Sequence, residues 1–157
     1  MKKTMFSLFL LLFTMAGFSA FSQKYKSASD TAKLNKELVR LSNDIAELTS
    51  KLTIAQNNLP GYNSKAAQAI NEAEGTAQKS SDQAYKATNG DLGDAKSAKK
   101  KAKKALNDAE NAADAKNDVK DQEKKIDKLT NELQKKQNKL NELVKMRTTI
   151  RAMHQLL

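Results

Sequence analysis

Two runs of bulky apolar residues lie towards opposite ends of this chain, and two runs of alanine separate them. The first bulky run is Leu34, Leu38, Leu41, Ile45, Leu48, Leu52, Ala55 and Leu59, in unbroken alternating steps of four and three residues. That spacing keeps one stripe of a helix turned towards a partner helix. The next run keeps the rhythm with small residues: Ala66, Ile70, Ala73, Ala77, Ser80, Ala84 and Ala87. After Asn89-Gly90 the order reverses. Ala95, Ala98, Ala102, Ala105, Ala109, Ala112 and Ala115 come first, then Val119, Ile126, Leu129, Leu133, Leu140, Leu143, Met146, Ile150, Met153 and Leu157. A chain folded at Asn89-Gly90 sets small against small and bulky against bulky. The expected fold is all-α, a long antiparallel helical hairpin or coiled coil.

The turn chemistry agrees. Gly90 suits the left-handed position that closes a helix, Asp91 can cap the next one, and Asp94 stands in its acidic first turn. Ser27 or Ser29 can cap the first helix, with Asp30 complementing its dipole. Pro60, the only proline, lacks an N–H and restricts Leu59, and Gly61 follows it. The first arm is therefore expected to be broken at Pro60-Gly61. Residues 1–22 read as a signal peptide, 23–59 as a Leu-heptad helix, 60–63 as the break, 64–88 as an Ala-rich helix, 89–91 as the turn and 92–157 as one long helix. A full reversal at the break would give an elongated three-helix bundle instead. The last helix is about as long as the first two together, which weighs against it. Gln122 and Lys136 fall on the apolar stripe of the last helix, where they weaken burial and can fix register.

Composition decides what kind of core is available. Aromatic residues make up 5% of the chain, there is no Trp, and all five Phe lie within the first 22 residues. Tyr25, Tyr62 and Tyr85 are the only rings beyond them, so a ring-based globular core is excluded. The opening MKKTMFSLFLLLFTMAGFSAFSQ has basic Lys2 and Lys3, an apolar stretch from Phe6 to Phe13, and small residues at Ala20 and Ser22. It reads as a signal peptide cleaved before Gln23, giving an exported protein, periplasmic or extracellular, with no transmembrane segment after cleavage. The alternative is an uncleaved anchor, but the apolar stretch falls short of the ~20 residues a spanning helix needs. With no cysteine, neither lipid attachment at Cys nor a disulfide is available.

The formal charge is +10, and its densest segment is KSAKKKAKKAL, residues 96–106. On a helix Lys96, Lys99, Lys100, Lys103 and Lys104 share one face about 140° wide, with the alanines opposite. They form a candidate patch for an anionic partner, such as an envelope component; the alternative is a solubilising face. No arginine or interleaved aromatic is present to read or stack bases, so no specific nucleic-acid role is expected. Catalytic chemistry is thin. His154 is the only histidine, Glu72 and Glu74 point to different helix faces, and no glycine-rich phosphate loop exists. The expectation is a non-enzyme with no metal or cofactor site. A two-helix hairpin leaves the outer sides of its Leu stripe half wet, so a homo-oligomer through the Leu seams is expected.

The segments LVRLSNDIAELTSKL and KIDKLTNELQKKQNKL, with Ser, Asn, Thr and Gln between the apolar positions, are similar to the coiled coil of bacterial murein lipoproteins. That resemblance implies an envelope rod that spaces or tethers components. The lipidated Cys and the C-terminal Lys of that family are missing here, so neither attachment carries over. In export signal, size, basicity and helical hairpin the chain also looks like the Skp family of periplasmic chaperones, which implies a holdase for unfolded proteins. The strand that follows the signal in that family is replaced here by QKYKSASDTAKLNKEL. A third reading, from KSAKKKAKKALNDAENAADAKND, is an amphipathic protein that folds on a polyanion or membrane surface.

Overall fold

The structure, a computed structural model, describes residues 30–155. The signal-peptide reading and the Ser27 or Ser29 cap lie outside those residues, as does the side chain of His154. Two helices account for nearly everything described: α1 (Asp30–Ala87, 58 residues) and α2 (Leu92–Gln155, 64 residues), packed against each other along their lengths. At 1.5 Å per residue they are about 87 and 96 Å long. The expected antiparallel hairpin is what forms.

The expected break is not there. α1 runs uninterrupted through Pro60. With a single reversal in the described residues, the three-helix alternative is excluded as well. Proline inside a helix removes one hydrogen bond and crowds the carbonyl four residues back, here that of Gln56. Pro60 and Gln56 are both exposed, so that disturbance falls on the solvent side. On the other side the four-three rhythm continues without a slip: Leu59 and Tyr62 are half-buried and Ala66 is 6% exposed. Packing against α2 over the full length outweighs the local penalty.

The core is concentrated at the free ends. Leu34, Leu38 and Leu41 of α1 form one cluster with Leu143 and Ile150 of α2, and Ile45, Leu140 and Met146 pack against it. Leu48 is buried next to this cluster, and from there to the turn the buried apolar residues are Ala55, Ala66 and Ala112. Each alanine contributes one methyl, about 0.8 kcal/mol, against about 1.5–3 kcal/mol for a buried leucine. The stripe near the turn also differs from the one expected. Ala77, Ala84, Ala95, Ala102 and Ala109 are exposed; Thr76, Asp94 and Asp108 are half-buried in their place, Gln83 is buried, and Ser80 keeps its expected position.

Polar residues on the seam reach across it. The buried amide of Gln122 donates to the backbone carbonyl of Ala55 at 2.6 Å, a partner 67 residues away in sequence. Lys136 pairs with Asp44 at 2.6 Å and Lys139 with Glu37 at 2.7 Å. A one-step slip would strand the Gln122 amide in an apolar layer, so this bond fixes the register. The ion pairs are each more than a third exposed on the lysine side and contribute modestly.

The hydrogen bond from Lys136 holds the Asp44 carboxyl below the ordinary carboxylate range; the charges of Lys136 and, more weakly, Arg40 act in the same direction. A lowered folded-state pKa contributes stability that is complete above the ordinary carboxylate value and is lost as pH falls through the lowered one. Urea midpoints taken from neutral to acid pH should therefore fall less steeply in Asp44→Asn than in the parent. Identical slopes would show that the pair adds nothing to stability.

Candidate anion-binding face at the turn end

The turn is built by a short chain of backbone bonds. Thr88, Asn89 and Gly90 donate their N–H groups to the carbonyls of Tyr85, Lys86 and Ala87, each at 3.2 Å. Gly90 then takes φ 86°, the left-handed conformation that costs glycine least. Asp91 opens α2: its Oδ1 accepts the N–H of Asp94 at 2.9 Å, and its carbonyl accepts that of Ala95 at 3.0 Å. These are the cap and the first helical bond.

One turn further in, a polar clasp ties the helices. The buried Gln83 donates from Nε2 to Asp94 Oδ1 at 2.9 Å and accepts from Lys101 Nζ at 2.8 Å through Oε1. Gln83, Asp94 and Lys101 all continue the four-three rhythm of their helices. The clasp explains why Lys101 stands apart from its neighbours. Its ammonium turns in towards α1, while those around it face water.

Lys96, Lys99, Lys100, Lys103 and Lys104 are all exposed on the outer surface of the first turns of α2, as expected. Among the described residues none of the five takes part in an ion pair. The fold adds two cations that α2 alone could not reveal. Lys79 and Lys86 of α1 are exposed and lie on the same edge of the hairpin as Lys104, the edge on which Glu37 meets Lys139 further along. Tyr85 and Leu92, 79% and 71% exposed, flank the turn itself. The result is a dense field of ammonium groups around a blunt helical tip. Such a field attracts anions in proportion to charge and is weakened by salt.

No group of three or more His, Cys, Asp or Glu side chains that could hold a metal ion occurs among the described residues. No described helix is long and apolar enough to cross a membrane. No known protein family, curated protein or solved structure matches the chain.

Proposed function

We propose that the chain is an exported, non-enzymatic coiled-coil rod of the bacterial envelope that spaces or tethers other components. The observation that carries this reading is an unbroken antiparallel pair of helices, about 87 and 96 Å long, with its register locked by Gln122 against Ala55. A shape of this kind holds two points a fixed distance apart. The opening MKKTMFSLFLLLFTMAGFSAFSQ supports the export part of the reading.

The exposed lysines near the turn favour a second reading, in which the turn end of the rod rests on an anionic surface. A third, the holdase, rests on the size, basicity and helical hairpin of the chain.

Small-angle X-ray scattering with circular dichroism on the purified chain separates the three. The rod reading expects a maximum dimension near 100 Å (about the length of α2) and full helicity in buffer alone. It also expects no protection of a denatured outer-membrane protein from aggregation. A scattering profile of a flexible coil would overturn it. A large gain of helix on adding anionic vesicles would favour the surface reading, and near-stoichiometric suppression of client aggregation the holdase.

A further inference from the structure

The two long flanks of the hairpin differ. On one edge Glu37 meets Lys139, and α1 lines that edge with Asp44, Lys51, Lys65, Glu72, Lys79 and Lys86. On the opposite flank α1 carries no charged residue from Ala32 to Thr88 except Glu74. Asn35, Val39, Ser42, Ala46, Thr49 and Thr53 recur there in the four-three rhythm, with Val39 62% exposed. α2 adds Ala102, Leu106, Ala109 and Ala113 on the turn side, with Leu106 59% exposed, and Thr130, Gln137 and Val144 towards the free end. Lys99 and Arg151 bound the α2 part, and in a chain that is 29% charged a stretch of α1 this long with a single charge needs a cause. Depletion of charge is the mark of surface that becomes covered on association.

The four charges that interrupt the flank in the middle of α2 say what covers it. They are Lys116, Lys120, Glu123 and Asp127, all exposed. Read from either end, the order inverts in sign: two bases, then two acids, at steps of four, three and four. A second α2 running the opposite way lays Lys116 on Asp127 and Lys120 on Glu123, twice over. The two-fold axis passes between residues 120 and 123. This is the self-complementarity that an isologous dimer requires. A second copy stacked turn on turn would set the same four charges against the uncharged flank of α1 from Thr49 to Asn63, leaving them without partners. At the free end the leucine seam is closed within each hairpin, since Leu34, Leu38, Leu41 and Leu143 are at most 6% exposed.

We propose that this flank binds a second copy of the chain, antiparallel and two-fold symmetric, with Lys116 and Lys120 of each copy paired to Asp127 and Glu123 of the other. The proposal deepens the rod reading by naming the rod's first partner. It predicts a symmetric strut with a lysine-rich tip at both ends.

Light scattering on the full chain should give twice the 17.3 kDa chain mass. The variants Lys116→Glu/Lys120→Glu and Glu123→Lys/Asp127→Lys make the stripe uniformly acidic or uniformly basic. Each alone should weaken dimerisation by about tenfold or more. An equimolar mixture of the two should regain the dimer mass. All four positions are exposed, so helicity serves as the folding control. A monomeric parent, variants that keep the parent's mass, or a mixture that stays monomeric while both variants remain helical would each overturn the proposal. A monomer with a rod-like scattering profile would leave the rod reading standing, so the two failures are distinct.

Discussion

Replacing Pro60 and Gly61 together by alanine should stabilise the hairpin by about 3–4 kcal/mol, roughly 3 from the proline and up to 1 from the glycine. Both positions are exposed inside a continuous helix, and a Cβ added at Gly61 meets nothing within 4 Å. No contact is lost. The missing hydrogen bond to the Gln56 carbonyl is restored, and the unfolded chain loses some of the freedom that glycine gives it. Urea unfolding followed by circular dichroism measures the change, with helicity expected to be equal or slightly higher. Unaltered or reduced stability would mean that packing against α2 depends on a distortion centred on Pro60.

The second large effect concerns where the fold is strong. Leu41 and Leu143 are 5% and 4% exposed and share one cluster, so Leu41→Ala or Leu143→Ala should cost about 2–5 kcal/mol. The double variant should lose less than the sum, because the first cavity already loosens the site of the second. In the turn half the comparable probe is Ala66→Gly, whose expected loss is about 1.5–2 kcal/mol, about 1 from helix propensity and the rest from the buried methyl. Equal losses from Leu41→Ala and Ala66→Gly would contradict the uneven core described above. The lysine face should be insensitive to all three changes, since none of its members touches the leucine cluster.

Much of this architecture can be read from residue order. The mirror arrangement about Asn89-Gly90 predicts the hairpin, and Gly90, Asp91 and Asp94 each do at the turn what their chemistry implies. The five lysines are exposed because Asp94, Ala98, Ala105 and Ala112 turn the opposite side of the helix towards α1. Two features resist such reading, for different reasons. Pro60 is a strong local signal, but what decides its neighbourhood is contact with α2, which a local rule does not contain. Leu59, Tyr62 and Ala66 carry the rhythm across it; a tyrosine between a leucine and an alanine is easily passed over as a loop residue. Near the turn the difficulty is alanine itself. It is small enough to sit on the seam or beside it, so Ala77, Ala84, Ala95, Ala102 and Ala109 mark a face one position away from the true contact line. The seam there is held by Thr76, Gln83, Asp94 and Lys101. A polar residue is recognisable as an interior one only when its partner on the other helix is known. Gln122 and Lys136, by contrast, stand among leucines, and their place on the seam is visible at once.

The uneven layering also governs how the hairpin answers to tension. Asp30 and Gln155 lie at the same end of the molecule, beside the leucine cluster. Traction applied at Asp30 and Gln155 must therefore part the strongest layers first, before any alanine layer bears a share. Once those have given way, the load passes to Leu48 and the half-buried leucines of the middle, and then to single methyl groups, a handful of polar links and a tight turn. Under load such a molecule behaves as a latch rather than a spring: resistance is greatest at the start and falls as the opening travels towards the turn.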